Sequence, residues 1–187
     1  MANGTLLYEW YDTSSYYSSN NHPNTKNEFD AFFNAENSGV TLGGTGEHTT
    51  HIHWGNNTQG TAIGSTDPKP DYLPADGYAW SVSGYLVPPE TGTYKIGIDG
   101  DDAIDVYIGS TRVAHWYGGH GFSGSYNHSG TITLNAGTYY SFTARMEEGG
   151  GGDGISVAWQ RPSQTSWSLL PTQYFESTLS SSINNAT

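Results

Sequence analysis

Residues Gly92–Ile108 read GTYKIGIDGDDAIDVYI, and this stretch decides how the rest of the chain is read. The segments Tyr94–Ile98 and Ile104–Ile108 carry the β-branched and aromatic residues of strands, which predicts an acidic hairpin turning at Asp101-Asp102. Successive side chains of a strand point to opposite faces, so two adjacent acids in regular extended geometry cannot reach one target. Two readings follow from these residues alone. One is a solvated acidic turn, the usual fate of a charge run. The other is a local break in the strand that brings both carboxylates to a cation, with calcium as the natural hard, oxygen-seeking candidate.

Outward from this stretch, alternation recurs. Leu6–Tyr11 reads as a first strand, and Tyr78–Leu86 (YAWSVSGYL) alternates up to Pro88-Pro89 and the turn Glu90-Thr91-Gly92. Arg112–Trp116 is a short strand. Gly130–Leu134 and Thr138–Arg145 read as a pair around Asn135-Ala136-Gly137, Ile155–Trp159 as another strand, and Leu169–Phe175 as a last edge. The polar segment Asp12–Asn27 reads as a loop. Asn27–Asn34, with Phe29, Phe32 and Phe33 at helical spacing, allows one short helix with its rings in the core. Asn56–Pro74 is a long Gly/Asn/Pro loop of the kind that often carries function. About ten strands at intervals of roughly 8 to 12 residues predict an all-β, antiparallel β-sandwich or barrel, with function in its loops.

Composition narrows the function classes. The chain has 187 residues, enough for one domain with a sizeable core, so residues 1–177 are expected to form the domain and 178–187 a tail or linker stub. Eighteen acids against six Lys and Arg give a net charge of −12, which argues against nucleic-acid and anionic-membrane partners. There is no cysteine, hence no disulfide framework and no thiolate metal site. No apolar run approaches the ~20 residues that span a bilayer. The first residues do not form a signal peptide, and the chain reads as excised from something longer. Thr49–Trp54 alternates as a strand does, and with the residue before it holds the one histidine cluster: His48, His51 and His53. A zinc site there lacks a suitably spaced fourth ligand.

In order, Gly4–Tyr11, Trp80–Leu86, Pro88-Pro89-x-x-Gly92-x-Tyr94, Asp101-Asp102, Val106–Ile108 with Trp116, Gly137-x-Tyr139, Arg145 and Trp159 resemble the protective-antigen-14 (PA-14) domain family, from Gly4 to Phe175. The acidic, Ser/Thr/Asn-rich, cysteine-free character is most similar to lectin modules of large bacterial repeats-in-toxin adhesins, the ice-binding kind included. The resemblance implies a β-sandwich and, in the lectin branch, a calcium ion held by two consecutive Asp residues joined by a cis peptide, which falls on Asp101 and Asp102. It implies further ligands from a later loop, commonly an Asn side chain and backbone carbonyls. Here that loop is Glu147–Gly154, which has no Asn; Asp153 is the expected substitute, with carbonyls among Gly149–Gly152, Gly150, Gly151 and Gly152 in particular. The expected function is that of a cell-surface, extracellular lectin, monomeric within a larger adhesin, that binds glycans through vicinal hydroxyls on Ca2+, without catalysis. Asp101, Asp102 and Asp153 would also face the sugar, with Trp116, Tyr117 and His120 nearby, and Trp116 alternatively in the core. Rival readings are a glycoside-hydrolase accessory domain and a structural module with calcium alone. Asp99, Asp105 and Asp67 are candidates for further ions.

Overall fold

A computed structural model of the chain describes residues 3–56 and 60–178. In chain order the first half runs β1 (Leu6–Asp12), α1 (Ser14–Asn20), α2 (Lys26–Ala31), β2 (Thr41–His48), β3 (His53–Gly55), β4 (Gly60–Thr61), β5 (Gly64–Ser65), β6 (Asp67–Pro68) and β7 (Tyr78–Leu86). The second half runs β8 (Gly92–Asp101), β9 (Ile104–Ile108), β10 (Thr111–Trp116), β11 (His128–Leu134), β12 (Tyr140–Glu148), β13 (Gly154–Gln160), β14 (Ser168–Leu169), a 3-10 turn at Thr172–Tyr174 and β15 (Phe175–Glu176).

Two sheets face each other. The larger has the order β10-β9-β12-β7-β1-β2 with β15 added to β7; the smaller has the order β11-β8-β13-β3-β6 with β14 added to β13. All of these pairings are antiparallel except β3 with β6. The expected β-sandwich is therefore present. Its core lies where Trp80, Val82, Ile104, Val106, Ala144 and Met146 of one sheet meet Ile96, Ile98, Ile155, Val157 and Trp159 of the other, all buried. Each large apolar side chain enclosed this way contributes about 1.5–3 kcal/mol. Trp54 and Trp80 meet edge to face, with ring centroids 5.3 Å apart, the orientation that aromatic quadrupoles favour.

Several expectations from the sequence need correction. The segment Asp12–Asn27 is not wholly a loop, because Ser14–Asn20 forms α1. No α1 side chain is buried, and Ser18 Oγ and Asn20 Nδ2 donate to the carbonyls of Ser14 and Tyr16. A helix that buries no apolar face leaves no apolar periodicity to read, and its Ser and Asn residues carry the signature of a loop. By contrast α2 has a capping box: Thr25 accepts from Glu28 N, and Glu28 Oε2 accepts from Thr25 N. It buries Phe29, as the Phe spacing suggested.

Other corrections concern partners and bounds. β8 and β9 are not a hairpin: β8 pairs with β11 and β13 in the smaller sheet, β9 with β10 and β12 in the larger. Asp101-Asp102 is thus the point where the chain crosses from one sheet to the other. β11 and β12 likewise belong to opposite sheets instead of pairing around Asn135-Ala136-Gly137. Alternation reports which faces are buried and says nothing about which strand lies alongside. Of the strand expected at Thr49–Trp54, only the end from His53 is formed, in β3. The last edge is split into β14 and β15, which join different sheets. The expected tail lies outside the described residues from 179 onward.

A candidate acidic cation site

Asp101 ends β8, and its peptide bond to Asp102 is cis. Asp102 is buried and Asp101 half-buried. Crossing between sheets carries the pair against the end of β12: Asp102 N donates to the Glu147 carbonyl (3.3 Å), and Glu147 N to the Ala103 carbonyl (2.9 Å). This register puts Glu148 beside the pair. One carboxylate oxygen from each of Asp101, Asp102 and Glu148 lies within 4.8 Å of the others.

The surroundings are specific about each acid. Asp102 Oδ1 accepts from His120 N (2.8 Å), and its Oδ2 lies 3.4 Å from Gly149 N and 3.4 Å from His22 Nδ1. His22 Nδ1 also lies 3.2 Å from Glu147 Oε2, and Tyr17 Oη 3.0 Å from His22 Nε2. Two glycines allow this closeness. A Cβ on Gly149 would stand 2.3 Å from Tyr17 Cζ, and one on Gly119 2.6 Å from His22 Cδ2. Glu148 is fully buried, yet neither of its oxygens has a hydrogen-bond partner. A buried carboxyl with no donor is costly unless a proton or a cation meets it.

The titration behaviour follows. Burial, then the Asp102 charge, pushes the Asp101 carboxyl up to about 7. Burial, then Asp102, Asp101, Asp153 and Glu147, pushes Glu148 up to about 10. His22 is raised by its hydrogen bond to Glu147. The cluster repels its own negative charge, and a divalent hard cation with oxygen ligands is the group whose chemistry fits it.

The other acids have different partners. Asp153, the expected third ligand, is fully buried, and its Oδ2 accepts from Lys69 Nζ and from Tyr78 Oη (2.5 Å). Its Oδ1 is unpartnered. Lys69 also donates to the Pro74 and Ala75 carbonyls (2.5 and 3.2 Å). Asp99 accepts from Gly100 N, Ser123 N and Oγ, and Ser125 N, so it pins the 118–126 loop. Asp105 is bonded through both oxygens to Arg145 and accepts from Tyr117 Oη (2.9 Å). Asp67 is exposed in β6.

The glycine loop is tied at both flanks. Gly151 N donates to Asp76 Oδ1 (3.0 Å) and the Gly151 carbonyl accepts from Asn56 Nδ2 (3.1 Å). Gly150 lies beside Asp76, and Gly152 is partly exposed. Trp116 is clasped between His120 and His128, with ring centroids at 3.3 and 4.1 Å and near-parallel planes, so both its faces are covered. Tyr117 accepts from Arg112 and donates to Asp105. His120 is brought to the site through its backbone N–H, and its Nδ1 lies 3.3 Å from the Gly100 carbonyl. His48 and His53 diverge, His48 onto Trp80 and His53 onto Ser156 Oγ (2.7 Å).

Glu148 and His22 were missed by the sequence reading. Glu148 is the first residue that precedes the glycines, a position legible from spacing. His22 sits in a polar segment that resembles a loop, and nothing local marks it.

Among solved structures, the PA14 domain of MpAFP antifreeze protein aligns with a TM-score of 0.67 at 19% identity, over 94% of this chain and 91% of that one. A PA14 sugar-binding domain from an RTX adhesin aligns with a TM-score of 0.64 at 17% identity, over 92% and 98%. The epithelial adhesin 9 A domain from Candida glabrata, in complex with Galb1-4GlcNAc, aligns with a TM-score of 0.65 at 15% identity, over 92% and 88%. The chain spans only about half of two anti-sigma factor domain-containing proteins that it also matches, 48% of one and 46% of another from Clostridium clariflavum. No curated protein matches the sequence. The family model described as PA14 domain matches residues 15–171, most of the chain. With that match and the two-sheet fold that carries it, the chain belongs to the PA14 domain family.

Proposed function

We propose that this chain is a calcium-dependent carbohydrate-binding module of an extracellular, cell-surface adhesin, acting as a monomeric unit without catalysis. The observation that carries the reading is the cluster of Asp101, Asp102 and Glu148, with Glu148 buried and both its oxygens unpartnered. These three side chains would hold the ion, and the Asp102 geometry is already set by His120 N, Gly149 N and His22. When bound, calcium supplies free coordination places that two adjacent sugar hydroxyls can fill. Asp101 is the most open of the three acids and is placed to accept hydrogen bonds from those hydroxyls. Gly121 passes close to it without a side chain, since a Cβ there would lie 3.6 Å from Asp101 Oδ2.

Supporting this reading, two similar structures are a PA14 sugar-binding domain from an RTX adhesin and the epithelial adhesin 9 A domain in complex with Galb1-4GlcNAc. Adjacent Asp101 and Asp102 do not supply the two separated carboxylates that glycoside hydrolysis uses, roughly 5 Å or more apart. Among the described residues no helix is long and apolar enough to cross a membrane. A small polar contact of this kind gives affinity nearer millimolar than nanomolar, and many copies on a surface supply avidity.

A glycan array read in calcium and again with chelator tests the proposal, with Asp101→Ala as the control. Binding that survives chelation or the substitution overturns it. The deep burial of Glu148 and Asp102 favours one second reading, in which the ion only ties β8 to β12. Calcium-dependent melting with no sugar response on the array supports that reading instead.

A further inference from the structure

Resting on the proposed sugar site, we infer that it selects neutral glycans and rejects those carrying a carboxylate, such as uronic or sialic acids. The inference comes from a complete accounting of the cationic side chains. The chain has six Lys and Arg residues, and all six lie among the described residues. Lys26 pairs with Asp30, Arg145 with Asp105 and Asp30, and Arg161 with Glu90. Arg112 donates to Tyr117 Oη, and Lys95 lies over the Trp167 ring. Lys69 is the one cation built in beside the cluster, and its ammonium is spent on Asp153 Oδ2 and two backbone carbonyls. None of the six is bonded to Asp101, Asp102 or Glu148. His22, the imidazole beside Asp102, is shared with Glu147.

The anions outnumber what an ion can offset. Asp101, Asp102 and Glu148 together bring three carboxylates to a divalent ion, which leaves the loaded centre with negative charge in excess. Glu147 and Asp153, buried in the same neighbourhood, are offset by His22 and Lys69, so neither pair cancels that excess, and exposed Asp76 adds a further acid at the glycine loop, where it accepts from Gly151 N. A neutral diol meets no penalty here. A sugar carboxylate meets like charges; none of the six Lys and Arg side chains is bonded to the cluster, and His22 is already held between Asp102 and Glu147, so specificity against such a partner follows from repulsion as much as from attraction.

The test uses the whole chain in saturating calcium, titrated by calorimetry with methyl galactoside, glucoside and mannoside and with the uronic-acid counterpart of each. Each pair differs only in its carboxylate. For every neutral sugar that binds, the acidic twin is expected to bind weaker by about tenfold or more. The gap is expected to shrink as NaCl screens the repulsion, and to shrink in Asp76→Asn, which removes an exposed negative charge at the glycine loop and leaves the three proposed calcium ligands in place. If Asp76→Asn fails to fold, the salt dependence of the unaltered chain decides. Equal or tighter binding of the acidic twins, or a gap indifferent to salt, overturns the inference and leaves the lectin reading standing. Failure of every sugar, neutral and acidic, overturns the lectin reading and this inference with it.

Discussion

Lys69 and Asp153, 84 positions apart in the chain, form a buried ion pair that joins the long segment after β6 to the glycine loop before β13. Asp153 Oδ2 also accepts from Tyr78 Oη, whose ring lies under the Lys69 ammonium at 4.7 Å. The acid expected to be a metal ligand is therefore answered by an internal cation. Its charge still raises its neighbours Asp101 and Glu148.

Removing one member of this pair should be costly. Asp153 is fully buried and Lys69 nearly so, 13% exposed, so Lys69→Met leaves a buried, uncompensated carboxylate and is expected to lower stability by about 3–5 kcal/mol. Urea unfolding measures this. The double variant Lys69→Met, Asp153→Asn should recover much of the loss, and a single variant as stable as the parent contradicts the pairing.

Calcium should stabilise the fold through the acid cluster. At a calcium concentration 100 times the dissociation constant, a site present only in the folded chain adds about 2.7 kcal/mol. Differential scanning fluorimetry with and without chelator reads this as a rise in melting temperature. Asp102→Asn or Glu148→Gln should abolish most of the rise, whereas Asp67→Asn, in exposed β6, should leave it intact.

Arg145 holds Asp105 through two hydrogen bonds, 2.8 and 2.6 Å, and reaches Asp30 at 3.0 Å. A lysine keeps the charge and loses the fork, so Arg145→Lys is expected to cost about 1–3 kcal/mol. Chemical denaturation checks this. An unchanged midpoint would show that the fork geometry is unimportant here.

Two buried histidines make a contribution to stability that acid removes, opposite in sign to that of the raised Asp101 and Glu148 carboxyls. Burial lowers the His48 and His53 pKa below the ordinary 6.5. In the unfolded chain these rings protonate first as pH falls through 6.5, so the unfolded state binds more protons and the stability they contribute declines below that pH. His48 packs edge-on against Trp80, and His48→Phe keeps a ring there without a titrating nitrogen. Relative to the parent, the melting temperature of that variant should rise as pH falls from 7 to 5, and a difference between the two that is independent of pH rejects the assignment.

What the sequence determined by itself is local. Alternation in Tyr78–Leu86 and Ile104–Ile108 located two strands with their bounds intact, because a half-buried strand must place apolar residues on every second position. Asp101-Asp102 was legible as an anomaly, since adjacent acids in a strand context conflict with extended geometry. Only the tertiary structure decided what that anomaly meets. It sent β8 and β9 to opposite sheets, set Glu148 against the acid pair, gave Asp153 to Lys69 and placed His22 between Asp102 and Glu147. Sheet pairing and the balance of buried charge are settled between segments far apart in the chain, by which groups can jointly exclude water and satisfy one another, and no window of neighbouring residues records that.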